Sequence, residues 1–113
     1  FCVSKSGYHL AIFSKFKIQQ PITNNEDFRN GEVLVNLEIN GKNVLVILAH
    51  LTPKTEDQRL SEINIIQQQI KDKETVILMG DMNSLSPHDN YDNKIIEEMK
   101  KRKIIKRYYK KWN

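Results

Sequence analysis

Residues 32–50, "EVLVNLEINGKNVLVILAH", restrict the possible folds more than any other stretch. The first half alternates Val33, Val35, Leu37 and Ile39 on one face, the period of a strand. Asn40-Gly41 follows, the dipeptide preferred in a two-residue type I′ turn, because both central residues there need positive φ. The second half, "NVLVILAH", must then return antiparallel. Its "VLVIL" core is apolar on both faces, which predicts a strand in the middle of a sheet with cover on each side.

The rest of the chain supplies that cover. "HLAIFS", residues 9–14, reads as a buried strand, and residues 19–31, "QQPITNNEDFRNG", with a proline, three asparagines and a glycine, read as a connection. After "HLTPKT" at 50–55, Thr55 and Gln58 offer a capping box ahead of an apolar helical stripe, Leu60, Ile63, Ile66 and Ile70, with the helix ending near Asp72. "ETVILMG", residues 74–80, is too short and too continuously apolar for an amphipathic helix and reads as a second buried strand. Strand, helix, strand at this spacing implies a crossover, so the expected class is α/β (α+β), helices packed on a sheet. Ser86, Pro87 and Asp89 look like a helix start. A last helical segment carries Ile95, Met99, Ile105, Tyr108 and Trp112.

A chain of 113 residues suits one domain burying roughly two thirds of its unfolded surface. No apolar run approaches the roughly 20 residues of a membrane span. The single cysteine, Cys2, excludes an intrachain disulfide and a thiolate metal site, and is expected at a small buried or edge position. The formal charge of +4 mildly favours an anionic partner. Much of it is local: "KKRKIIKRYYKK", residues 100–111, holds eight basic residues and no acid. No secretory leader is visible, which favours a cytoplasmic location, although the first residue is Phe1 rather than a methionine and a fragment of something larger is the expectation.

Chemistry concentrates at the carboxyl ends of the two most apolar strands. His50 follows "VLVILA", and Asp81 with Asn83 follows "VILMG". Neighbouring strands pointing the same way would bring all three to one rim, the usual ligand position in open α/β sheets. Asp81 and Asn83, two apart, point to the same side of an extended segment, and Gly80 permits close approach or a sharp turn. Such a set suits phosphoester hydrolysis. A carboxylate can hold a hard cation or orient water, an amide can donate to a phosphoryl oxygen, and a protonated imidazole can offset developing charge. Gly-Asp-x-Asn is equally an ordinary turn sequence whose side chains bond their own backbone, and His50 alone reads as a strand-end histidine.

"ILMGDMNS" resembles the Gly-Asp-x-Asn motif of the endonuclease/exonuclease/phosphatase superfamily. "GYHLAIFSKFKI" is similar to that family's Gly-x-x-(apolar)-Ser-(Arg/Lys)-x-x-Ile strand, "VLVILAHLTP" to its strand ending in histidine, and "RLSEINII" to the following helix, with Arg59 near its start. The four pieces stand in the family's order over residues 7–89. The resemblance implies a partial four-layer αββα sandwich with a mixed, deoxyribonuclease-like sheet. It covers the middle of that domain, without the amino-terminal metal-binding glutamate or the carboxyl-terminal Asp-His pair.

By the same resemblance, Asp81 orients the attacking water and neighbours the metal, Asn83 contacts the scissile phosphate, and His50 stabilises the phosphate or protonates the leaving oxygen. The metal set is Asp81 and Asn83, and the cofactor is Mg2+, with Mn2+ as a substitute. The implied activity is a magnesium-dependent phosphodiesterase, a nuclease on DNA or RNA. Its alternatives are a phosphoinositide phosphatase or sphingomyelinase-like lipid phosphodiesterase, and a non-catalytic nucleic-acid or protein binding module on the same scaffold. His88 is the weakest candidate, since a helix start accounts for its neighbours. Tyr108, Tyr109 and Trp112 among basic residues resemble a backbone-tracking pattern, or equally a solvated helix with inward aromatics. His9 has no evident partner.

Overall fold

The computed structural model describes residues 1–86 and 88–102. Their elements are β1 (Ile18–Asn24), β2 (Glu32–Ile39), β3 (Lys42–His50), α1 (Glu56–Ile70), β4 (Val76–Asp81) and α2 (Asn93–Lys101). The fold is α+β. One mixed sheet has the order β1-β2-β3-β4, antiparallel except for the parallel β3–β4 pair joined through α1.

The β2–β3 hairpin forms in the expected register, Ile39 opposite Lys42, with Asn40 and Gly41 at φ 51° and 75°, as a type I′ turn requires. Alternation then divides the core between two faces. Leu34, Leu45, Ile47 and Ala49 pack with Phe28, Leu51 and Ile66 of α1. Val33, Val35, Leu37, Val44 and Val46 pack on the other side, where Cys2, Leu10 and Ile12 cover them. Cys2 is buried, as expected, and pairs with Leu10 through an isolated bridge.

Four expectations need correction. Residues 19–31 are not all connection, because β1 occupies 18–24. Pro21 is tolerated because β1 is an edge strand and its register breaks between Gln19 and Ile22, where a missing N–H interrupts least. Residues 9–14 form no strand; they run extended beside the second core face with one bridge, at Leu10. Strand β4 is paired as expected but not buried, with Ile77, Leu78 and Met79 each more than 40% exposed. Among the described residues it has a neighbour on one edge only. On α1 the buried residues are Arg59, Glu62 and Ile66, while Leu60 faces solvent. The phase of the helix is set by a polar anchor described below rather than by its apolar residues alone.

Thr55 caps α1 by accepting the Gln58 backbone N–H at 3.3 Å. The second helix starts later than Ser86 suggested. Asp92 caps it by accepting the Lys94 backbone N–H at 2.7 Å, while the His88 backbone N–H donates to the Ser86 hydroxyl and the Asp89 N–H to the Ser86 carbonyl. Pro87 and the carboxyl-terminal segment with Ile105, Tyr108, Tyr109 and Trp112 lie outside the described residues. No helix among the described residues is long and apolar enough to cross a membrane.

Candidate active site

Parallel pairing of β3 and β4 sets His50 opposite Asp81 at the carboxyl ends of both strands. The pair sits on the face opposite α1, because its register neighbours Val46 and Ile77 alternate away from the helix-facing Ile47 and Leu78. His50 Nε2 lies 3.8 Å from Asp81 Oδ2, within ion-pair reach but long for a hydrogen bond. The imidazole is mostly buried, at 18% exposure of its side chain, whereas the carboxylate is 63% exposed. Such a pair has one shielded member and one open to solvent or substrate.

Gly80 makes that alignment possible. Its φ is 135°, and a Cβ there would lie 1.9 Å from the Ala49 carbonyl oxygen. Any other residue would push β4 away from β3 one position before the His50–Asp81 pair. After Asp81 the chain turns through Asn83 at φ 46°. The Asn83 backbone N–H donates to Asp81 Oδ1 at 2.8 Å, and its side-chain amide donates to the Leu51 carbonyl at 2.7 Å. Both the turn reading and the site reading therefore describe this stretch, since the Asx turn that Asp81 makes is what carries Asn83 back to the end of β3. One amide N–H of Asn83 is committed to Leu51, which fixes the amide orientation and leaves its second N–H and Oδ1 for a ligand.

The strand end at 50–52 is fastened at successive peptide groups. The His50 N–H donates to the Gly31 carbonyl, and the Leu51 N–H to the Asp81 carbonyl at 2.9 Å. Buried Asn30 adds a second donor to the Leu51 carbonyl at 3.2 Å. Glu62 of α1 accepts the Thr52 N–H at 2.7 Å and the Arg29 N–H at 3.3 Å, and Arg59 donates to the Thr52 carbonyl at 3.1 Å. Arg59 also pairs with Glu56 at 2.6 Å. Burial pushes the Glu62 carboxyl above its ordinary pKa, opposed by the two backbone donors and by the charges of Arg59 and His50. Arg59, singled out near the helix start, thus supports the site through the strand-end backbone.

Asn30, Glu62 and Tyr8 were not sequence candidates. Glu62 had one readable signal: with Arg59 and Ile66 it forms a stripe at helical spacing, which turns out to be the buried one. Tyr8 stacks edge-on against His50, ring centroids 5.6 Å apart at 65°. His9 Nδ1 accepts the Ser4 backbone N–H, so it serves the amino-terminal turn. His88 is exposed, and its described bond is local to Ser86.

The donors near Asp81 suit a hydrated hard cation rather than a protein cage. One exposed carboxylate and one amide oxygen leave most of a magnesium shell to water and substrate oxygens, a common arrangement for that ion. Among the described residues, no group of three or more His, Cys, Asp or Glu is placed to hold a metal. No family model matches the chain, and neither curated proteins nor solved structures yield a match.

Proposed function

We propose that the chain is the central part of a magnesium-dependent phosphoester hydrolase of the endonuclease/exonuclease/phosphatase type, with its partial four-layer sandwich, acting on nucleic acid. The observation carrying this reading is the registered pair His50–Asp81 at the parallel strand ends, with Asn83 returned to the same rim. A solvated carboxylate beside a shielded imidazole supplies two different roles to one phosphate.

Asp81 orients the attacking water and accepts its proton at the carboxylate. His50 Nε2 faces a phosphoryl or leaving oxygen and supplies a proton or positive charge as the phosphate gains a fifth ligand. Asn83 donates its second amide N–H to a non-bridging oxygen, held in place by the Leu51 carbonyl. Asp81 and Asn83 Oδ1 would hold Mg2+, or Mn2+ in its place, and that ion supplies charge neutralisation on the phosphate. Nucleic acid is favoured over lipid because the +4 net charge gathers in the basic carboxyl-terminal sequence.

Plasmid nicking measured beside phosphate release from phosphoinositide and sphingomyelin vesicles tests the proposal. With magnesium, the full-length protein should nick, and Asp81→Ala in it should lower nicking about a hundredfold or more, with an unchanged circular-dichroism melt. Full activity in that variant would remove Asp81 from the chemistry. Lipid turnover without nicking would reassign the substrate.

A further inference from the structure

The aromatic ring touching the candidate site is placed to meet a substrate. Tyr8 is 66% exposed, yet its backbone is fixed. The Ser4 hydroxyl donates to the Tyr8 carbonyl at 2.7 Å, the Gly7 N–H closes the turn on the Ser4 carbonyl at 3.3 Å, and Gly7 adopts φ 88°. His9 anchors the same turn through the Ser4 N–H at 3.2 Å, and the Cys2–Leu10 bridge ties its two ends together with bonds of 2.8 and 3.0 Å. A turn so heavily bonded could have hidden a small residue at its tip. Instead it holds a large aromatic in water, with one part of the ring against His50 and the remainder open.

Phe1 and Phe13 are also exposed, but among the described residues Tyr8 is the aromatic in ring contact with the site. A phosphate resting against the His50–Asp81 pair meets the Asn83 amide, held by the Leu51 carbonyl, and lies beside the imidazole that Tyr8 contacts. A group attached to that phosphate and running past the imidazole comes within reach of the exposed phenol ring, whose centroid is 5.6 Å from that of His50. A planar nucleobase gains from that position, whereas an acyl chain or an inositol ring has no π-face to offer.

We propose that Tyr8 is a specificity-determining residue that stacks on the nucleobase next to the phosphate held at His50 and Asp81, favouring nucleic acid over phosphoesters that carry no planar base. The inference rests on the phosphoester-hydrolase reading of the same site, and its test is a binding measurement without turnover. The 113-residue chain is titrated, in chelator, against a labelled single-stranded oligonucleotide and against the same length of abasic backbone. Wild type should bind the base-bearing strand more tightly. Tyr8→Ala should lose about tenfold on that strand and nothing on the abasic one, and Tyr8→Phe should retain both affinities. Tyr8→Leu, which keeps bulk near His50 without a π-system, should behave like Tyr8→Ala.

Equal binding of both strands by wild type, absence of binding to either, or an equal loss on both in Tyr8→Ala overturns the assignment. So does full affinity in Tyr8→Leu. The two readings fail separately: Tyr8-dependent base preference in a chain that cleaves nothing removes the hydrolase, and cleavage with unchanged base preference in Tyr8→Ala removes the stacking role.

Discussion

Gly80 decides at a single atom whether His50 and Asp81 meet. Alanine there would place a methyl group 1.9 Å from the Ala49 carbonyl oxygen, in a backbone region that L side chains avoid. Gly80→Ala should destabilise the chain by about 1–3 kcal/mol in a urea melt and reduce nicking by more than the loss of folded protein explains. An unchanged melt and unchanged activity would mean that the strands meet less closely than described. Asp81 and Asn83 were readable in the sequence because a Gly-Asp-x-Asn turn after an apolar run is a local signal. Tyr8 and Asn30 were not, since each reaches its partner across more than 20 residues, and only the β2–β3–β4 arrangement brings those partners near.

At the scale of elements, the hairpin was legible because Asn-Gly turn chemistry and period-2 alternation both act locally. Burial of β4 was not, because its apolar run cannot reveal how many neighbours the strand has. Nor was the phase of α1, which answers to Glu62 and Glu32. Glu32, on β2, is fully buried and accepts the Gln69 amide of α1 at 2.9 Å, while among the described residues Glu32 Oε1 and Gln69 Oε1 have no hydrogen-bond partner. Burial pushes the Glu32 carboxyl above its ordinary value of 4.5, the Gln69 bond opposes this, and the Asp27 charge adds to the rise. The folded state therefore binds the proton more tightly than the unfolded state. Stability contributed by the protonated group is complete below 4.5 and is lost as pH rises through the raised folded value. Glu32→Gln supplies a permanent amide donor for Gln69 Oε1, so it should gain about 1–3 kcal/mol at neutral pH, with the gain vanishing below pH 4.5. A neutral-pH melt at or below that of wild type would contradict this account.

For the whole molecule, one sheet carries cover of two kinds. Helix α1 covers one face and the amino-terminal segment the other, so the candidate rim falls where β3, β4 and that segment converge. The convergence explains why the site draws on residues from 8 to 83. Strand β4 keeps apolar side chains exposed beside it, which is a surface a further strand could extend. The central claim is that His50 and Asp81 act as one unit on a phosphodiester. A double-mutant cycle of His50→Ala and Asp81→Asn on magnesium-dependent kcat/KM for a single-stranded oligonucleotide tests it most directly. Groups acting together are strongly non-additive, so each single variant should lose about a hundredfold or more and the double little beyond the worse single. Multiplicative losses in the full-length protein would contradict it.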